Sequence, residues 1–138
     1  MVMIKERSTI QANKKSALEE CPIIFVLEKI GGYWKPFILF HLLSGSKRYS
    51  ELRKAIPEIT EKMLIQHLKQ METDKLINRE AKPMVPPQVT YSLTDSGLSL
   101  KPVLYAMATW AIQNNKEGSQ IHYKNPDDFP VPGSLNNE

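Results

Sequence analysis

Residues 48–97 constrain the fold more than any other part of the chain, because their patterns predict four elements in a fixed order. Tyr49–Ala55 is predicted to form a short helix, which ends before Pro57 because proline cannot continue a helix. A longer helix follows Thr60, a residue type that caps helix N-termini. Apolar residues recur along it at helical spacing: Leu64, Leu68 and Met71, with Lys75 at the fraying end.

Two strands are predicted after the longer helix. The alternation of residue types places them at Ile77–Lys82 and Val89–Leu93, joined by a loop with three prolines. Ile77, Arg79 and Ala81 are expected to share one face, and Val89, Tyr91 and Leu93 are expected to share another. A helix, a turn, a capped helix and a two-stranded hairpin, in this order, form a winged helix-turn-helix, which places one helix in the DNA major groove.

Further helices are predicted before this segment. One runs from Pro22 to Ile30, because proline suits the first position of a helix, and Gly31-Gly32 ends it. The apolar stretch Trp34–Leu43 predicts another helix. The chain is expected to comprise an N-terminal arm at 1–20, a domain at 21–115 and an irregular, proline-rich tail at 116–138.

The helix predicted after the hairpin, Asp95–Asn115, is apolar on two sides. Thr94 caps it, and Pro102 should kink it or break it into two pieces. One stripe holds Leu98, Tyr105 and Ile112. A surface helix needs only one stripe, so the second indicates another subunit, although both could pack within one chain. The expected dimer-interface residues are Val103, Leu104, Met107, Trp110 and Ala111. The predicted fold class is mainly α with a small β-hairpin (α+β), a winged helix-turn-helix with additional N- and C-terminal dimerisation helices.

Positive charge is concentrated in the helix-turn-helix segment. The chain has a net charge of +3, and residues 44–82 hold nine basic and six acidic side chains. This window therefore carries an excess equal to the whole net charge. Such an excess suits double-stranded DNA as a partner, although a solvated surface of mixed charge is also compatible with it.

The composition disfavours several other classes of protein. A single cysteine excludes an internal disulfide framework. No apolar run suits a signal core or a membrane span, so a cytoplasmic protein is expected. His41, His67 and His122 have no partners at ligand spacing, so we expect no metal site. No phosphate-binding glycine loop or nucleophile elbow is present, so neither a cofactor nor enzymatic activity is expected.

The spacing within the longer helix predicts which of its side chains would meet DNA. With the apolar stripe inward, a rotation of about 100° per residue places four residues on the opposite face, beside Ile65: Lys62, Gln66, Lys69 and Thr73. Gln66 can pair with adenine and Ile65 can contact a thymine methyl group. Lysines suit phosphates, as do arginines on the flanking elements. The predicted DNA-binding residues are Arg48, Arg53, Thr60, Lys62, Ile65, Gln66, Lys69, Arg79 and Lys82.

The chain closely resembles the HxlR-type family of bacterial winged-helix transcriptional regulators. The matching blocks follow one another in the family's order over about 90 residues. They are Cys21-Pro22, Gly31-Gly32-Tyr33-Trp34, Arg48-Tyr49-Ser50-Glu51-Leu52, Ile59-Thr60-Glu61-Lys62-Met63-Leu64, Tyr91-Ser92-Leu93-Thr94-Asp95-Ser96-Gly97 and Trp110. The chain departs from the family where Tyr33 replaces a lysine, Tyr49 a phenylalanine, Thr60 a serine and Lys75 a glycine. The change at position 33 could alter a backbone contact or the shape of a pocket near Trp34.

The resemblance implies a homodimer that binds a palindromic operator and responds to a chemical signal. We therefore expect a sequence-specific transcriptional regulator, and a repressor in particular. Several family members resemble this chain around Cys21 and use that cysteine to sense electrophiles or oxidants. Cys21 also precedes a helix N-terminus, where free N–H groups favour a thiolate, so it is the candidate redox-sensing residue. An unreactive, buried cysteine is the alternative.

Two other functions stay open. The winged helix could bind another protein, because the charge excess is modest and the tip of the hairpin is uncharged. The regulator could also be gated by a small molecule in an aromatic pocket and not through Cys21. The residues that could line such a pocket are Trp34, Phe37, Phe40, Tyr105 and Trp110, although packing in the core is the preferred interpretation.

Overall fold

The computed structural model describes residues 19–115, Ile121 and Phe129. The chain divides into two compact units, residues 1–32 and 33–138. Most of the predicted arm and tail, including His122, lies outside the described residues. Across the part of the chain that is described, no helix is long and apolar enough to cross a membrane.

Helix α1 (Pro22–Ile30) lies in the first unit, with Pro22 at its first position as predicted. Cys21 is the N-cap residue in an extended conformation, and its carbonyl oxygen accepts a hydrogen bond from the N–H of Phe25 at 3.1 Å. The Cys21 side chain is a half-buried free thiol. Ile23, Phe25 and Leu27 are exposed. Helix α1 therefore presents apolar side chains to solvent next to the cysteine.

The second unit contains five helices and three strands within the described residues. They are α2 (Lys35–Leu42), β1 (Lys47–Arg48), α3 (Tyr49–Ala55), α4 (Glu61–Thr73), β2 (Ile77–Lys82), β3 (Gln88–Leu93), α5 (Asp95–Leu98) and α6 (Lys101–Gln113). Helix α2 packs against α3, α6 and β3, and α4 packs against β2. The largest fully buried side chains are Ile38, Leu39, Leu42, Leu52, Ile56, Leu64, Leu68, Met71 and Ile77. Helix α2 thus joins the helix-turn-helix to α6.

The strands form one antiparallel sheet in the order β1-β3-β2. The expectation of two strands was therefore incomplete, because Lys47 and Arg48 pair with Tyr91 and Thr90. Two residues are too few to show an alternating pattern, so tertiary pairing alone reveals β1.

The register of the hairpin corrects the predicted faces of its strands. Ile77 lies opposite Leu93, and Arg79 lies opposite Tyr91. Directly opposed residues of antiparallel strands share one face, so the two predicted sets form a single face of the sheet.

Helix α4 ends in a closed cap, so the prediction that it frays at Lys75 was wrong. The N–H of Lys75 bonds to the carbonyl of Glu72 at 3.0 Å, and the N–H of Leu76 bonds to the carbonyl of Met71 at 2.9 Å. These two bonds define a Schellman motif, whose turning residue takes a left-handed conformation. Lys75 has a φ of 60°. The turn directs the chain from α4 into β2.

The segment predicted as one helix at Asp95–Asn115 forms two helices. A break into two pieces was one of the two outcomes expected from Pro102. The chain breaks between α5 and α6, so Leu98 does not share a continuous helical stripe with Tyr105. Thr94 caps α5 as predicted, because its Oγ1 accepts a hydrogen bond from the N–H of Gly97 at 3.0 Å. A Cβ atom at Gly97 would collide with the carbonyl oxygen of Leu76, so this turn requires glycine.

Candidate nucleic-acid interface

Helix α4 turns an apolar face to the core and a polar face to solvent. Its buried residues are Leu64, Leu68 and Met71, and the exposed residues opposite them are Lys62, Gln66 and Lys69. Ile65 is 38% exposed beside this polar face. The Oγ1 of Thr60 accepts a hydrogen bond from the N–H of Met63 at 3.2 Å, which orders the first turn. The outward face predicted from the spacing is thus the exposed face.

Side chains from α3 hold the beginning of α4 in place. Arg53 donates a hydrogen bond from Nη1 to the carbonyl oxygen of Ile59, at 2.9 Å, across the turn between the helices. The hydroxyl of Tyr49 donates to Oε1 of Glu61 at 3.2 Å. Burial raises the pKa of Tyr49, and the hydrogen bond to Glu61 raises it further. Arg53 therefore supports the turn between α3 and α4.

Arg48 is held at the beginning of α3 by Glu51. The carboxylate Oε1 of Glu51 accepts from the backbone N–H of Arg48 at 2.9 Å and from its Nε at 3.2 Å. The backbone hydrogen bond is the main reason that the pKa of Glu51 lies below its ordinary value, and the side-chain bond adds to it. Both side chains are exposed, so the guanidinium group stays accessible to a phosphate.

A cleft of about 760 Å³ lies between α4 and the hairpin. It brings together four of the predicted DNA-binding residues: Arg48, Ile65, Lys69 and Arg79. Glu72 is the carboxylate in the same lining, so three cationic side chains face one anionic group. The other predicted residues, Arg53, Thr60, Lys62, Gln66 and Lys82, do not line this cleft.

The two predicted cations of the hairpin lie on different faces of the sheet. Arg79 is paired with Tyr91 and lines the cleft, whereas Lys82 is paired with Gln88, an odd number of residues further along β2. Successive side chains of a strand alternate between faces. Arg79 and Lys82 therefore cannot contact the same phosphate from the same side.

The cleft also contains polar residues that the sequence analysis missed. Tyr49 and Ser50 begin α3, and Gln88 begins β3. The predicted start of the short helix could have indicated the first two, because helix N-termini offer N–H groups to anions. No sequence pattern indicates Gln88, because its place depends on the pairing of the strands.

The predicted aromatic cluster divides between two environments. Trp34, Phe37 and Phe40 line a second cavity, of about 690 Å³, whereas Tyr105 and Trp110 do not. Phe37 is 41% exposed and Trp110 is 68% exposed, so the interpretation that these residues pack in the core was wrong for both. Nothing in their residue types or spacing distinguishes the two groups.

Comparisons with known proteins agree with this architecture. The HxlR-like helix-turn-helix family model matches residues 29–119. YybR of Bacillus subtilis (strain 168), an uncharacterized HTH-type transcriptional regulator, is 40% identical over 111 residues, which cover 80% of this chain and 86% of YybR.

Solved structures are also similar to this chain. The redox regulator HypR in its oxidized form has a TM-score of 0.65 and 41% identity, covering 70% of this chain and 99% of that chain. The reduced form of the transcriptional regulator YodB from B. subtilis has a TM-score of 0.63 and 34% identity, covering 72% and 98%. The chain therefore belongs to the HxlR-like helix-turn-helix family and is a transcriptional regulator.

Proposed function

We propose that this protein is a homodimeric repressor that binds a palindromic operator with α4 in the major groove. The observation that carries this proposal is the polar face of α4 beside a cleft with three cationic side chains. A duplex in contact with α4 would bring its phosphates toward that cleft, where Arg48, Lys69 and Arg79 lie.

The residues of the interface divide into those that read bases and those that bind phosphates. Gln66 reads an adenine through its amide, and Ile65 contacts a thymine methyl group. Lys62 and Lys69 bind phosphates from α4, and Arg79 and Lys82 extend these contacts along the hairpin. Thr60 and Arg53 orient the beginning of α4 through the hydrogen bonds described above.

Dimerisation through α6 places two copies of α4 on one face of the DNA. Met107 is 46% exposed and Trp110 is 68% exposed, while Val103 and Ala111 are half-buried beside them. Leu104 is 7% exposed within the protomer, so it supports this surface from beneath and offers little area to a partner. A symmetric pair would read half-sites about 34–36 Å apart.

Cys21 is the proposed redox-sensing residue of this repressor. The similarity to a structure named as a redox regulator supports this role. With one cysteine per chain, oxidation would give a disulfide between subunits, a mixed disulfide with a small thiol, or an adduct. Any of these products changes the chain at the start of α1, next to its exposed apolar side chains.

Fluorescence anisotropy with DNA from the protein's own upstream region tests the DNA-binding part of the proposal. Lys69→Gln should lower the slope of log affinity against log salt by about one, whereas Gln66→Ala should relax specificity at one base pair. Lys101→Gln is a control for lysine loss outside the interface. If neither α4 variant changes binding, α4 is not the reading helix. If the protein does not bind this DNA even at low salt, the result would favour a protein-binding module.

Diamide treatment tests the role of Cys21. The parent protein should lose operator binding on oxidation and recover it with a reductant, and Cys21→Ser should bind DNA under both conditions. An equal loss of binding by Cys21→Ser would show that oxidation acts elsewhere. Transcription from the operator in vitro, with and without protein, tests the sign of regulation.

A further inference from the structure

The second cavity lies apart from the proposed DNA-reading surface and has an aromatic lining. Its volume is about 690 Å³, and its rings come from Tyr33, Trp34, Phe37, Phe40 and Phe129. The Tyr33 and Trp34 rings meet edge to face at 4.7 Å, and the Phe40 and Phe129 rings lie 5.3 Å apart. A planar molecule that enters this cavity would meet several ring faces, which carry partial negative charge.

The described residues of the lining carry charge of one sign. Glu58 is the single charged side chain among them, and they include no lysine, arginine or histidine. Glu58 is exposed and lies in the turn that precedes α4. A carboxylate and aromatic faces both attract a cation, whereas an anionic ligand would find no counter-charge among the described residues of the lining.

Tyr33 lies at the rim of the cavity. Its side chain is 82% exposed while lining the cavity. A lysine at this position would place a positive charge at the rim and repel a cation. The tyrosine carries no such charge and adds a ring face.

We infer that this cavity binds a planar aromatic cation and that its occupancy changes the affinity for operator DNA. The second half of this inference rests on the proposed function, whereas the binding of the cation does not. The occupant is held by stacking on the rings, by cation–π attraction and by the Glu58 carboxylate.

The walls of the cavity explain how occupancy would reach the DNA-binding surface. Ala55 and Glu58 belong to the end of α3 and the turn before α4, and Leu104 and Met107 belong to α6. A ligand held between these walls favours one distance between the turn and α6. Because α6 carries the proposed dimer contacts, this distance affects the spacing of the two copies of α4. A ligand shifts the equilibrium between two arrangements of the turn and α6 by as much as its affinities for the two arrangements differ.

Binding is tested on the DNA-free protein with 1-methylquinolinium and its neutral isostere 1-methylnaphthalene. The indole N–H signals of the two tryptophans provide the readout in a nitrogen-correlated NMR spectrum. The signal of Trp34, which lines the cavity, should shift on titration by more than that of Trp110, which does not line it. Trp34→Phe and Trp110→Phe assign the two signals. The cation should bind about tenfold more tightly than the neutral isostere.

Substitutions separate the contribution of charge from that of shape. Glu58→Gln should weaken binding of the cation about threefold and leave the neutral isostere unchanged, because an exposed carboxylate contributes modestly. Tyr33→Lys should weaken binding of the cation by tenfold or more, because a ring is lost and a like charge is added. Glu80→Gln, on the exposed part of β2, is the matched control and should change neither affinity.

Four results would overturn the inference. Equal affinity for cation and isostere would exclude recognition of charge, and unchanged affinity in Tyr33→Lys would place the cation elsewhere. If the cation causes no shift at Trp34 and Tyr33→Lys changes the self-association of the protein, the cavity would instead hold a second copy of the chain. If the cation binds but leaves the anisotropy titration with upstream DNA unchanged, occupancy does not regulate DNA binding. Failure of the DNA titration without any ligand would overturn the proposed function instead, while the NMR result would still decide the binding of the cation.

Discussion

Helices α4 and α6 have the same length, 13 residues, but are stabilised in opposite ways. Helix α4 has a hydrogen-bonded N-cap at Thr60 and a closed turn at its C-terminus, and its three buried residues have at most 1% of their surface exposed. Helix α6 has no side-chain hydrogen bond at its N-cap Leu100, and its buried residues, Leu104 and Ile112, are 7% and 6% exposed. Its outward face carries Met107 and Trp110.

This difference indicates how each helix meets its partner. Helix α4 is capped and packed within the protomer, so its outward face can be polar and suited to a hydrated polyanion. Helix α6 keeps apolar area on its outward face, and a large exposed tryptophan is typical of a protein interface.

Leu68→Ala should cause the largest loss of stability, because Leu68 is 1% exposed in the packed face of α4. We expect the free energy of unfolding to fall by about 2–5 kcal/mol, as for other buried leucines. Urea denaturation at a fixed protein concentration measures the change. Lys69→Ala, the exposed neighbour, should stay within about 0.5 kcal/mol of the parent. Similar losses for both variants would contradict the close packing of α4.

Trp110→Ala should weaken self-association without unfolding the protomer, because Trp110 is 68% exposed. An aromatic interface residue commonly contributes about 2 kcal/mol, so the dimer Kd should rise roughly 30-fold. Sedimentation equilibrium measures the Kd. Gln113→Ala, at the exposed end of α6, is the control. A parent protein that is monomeric at every accessible concentration would remove the proposed role of α6.

Lys75→Gly should stabilise the protein slightly. A residue with a Cβ in the left-handed conformation, as at Lys75, costs about 1–2 kcal/mol. Glycine relieves this cost but loses about 0.4–1 kcal/mol through its greater freedom in the unfolded chain. We expect a net gain of about 0.5 kcal/mol in thermal or urea denaturation. Lys75→Ala keeps the Cβ and should show no such gain, so an equal gain in both variants would exclude backbone strain as the cause.

Acid should weaken the packing of α4 through His67. Burial, and then the positive charge of Lys35, lowers the pKa of His67 below its ordinary value of 6.5. The folded state therefore favours the neutral imidazole, and this contribution is present above pH 6.5 and is lost as pH falls through the lowered folded pKa. The Tm should decrease between pH 7.5 and 5.5, and less so in His67→Gln.

His41 should contribute a second, separate part of this pH dependence. Burial, and then Lys47, lowers the pKa of His41, which is in α2. His41→Gln should remove a separate part of the decrease in Tm. Helix α6 contains no histidine, aspartate or glutamate, so its own residues should not respond to this change of pH. An unchanged pH profile in both variants would place the acid sensitivity in other groups.

Much of the helix-turn-helix could be predicted from the sequence because its signals are local. Pro57 ends α3, and the caps at Thr60 and Thr94 act on N–H groups three residues away. The exposed face of α4 follows from helical spacing alone. Lys75 was harder to interpret, since a lysine gives no sign of a left-handed turn.

The features that sequence patterns missed depend on contacts between distant residues. Strand β1 exists because Lys47 and Arg48 pair with residues more than 40 positions away. The single face shared by the two predicted sets of hairpin residues follows from the register of the hairpin. The cavity beside α6 requires Tyr33, Glu58 and Met107 to meet, and nothing in their spacing indicates it.

The sequence by itself determined the family, the order of the elements and the polar face of α4, since caps, prolines and periodicity act over a few residues. The tertiary structure alone decided which of those polar residues share a cleft, that Leu104 is buried while Trp110 is exposed, and that an aromatic cavity with Glu58 in its lining joins the turn to α6. The physical reason is that burial and charge clustering arise from packing between elements, which residue types within a single element do not specify.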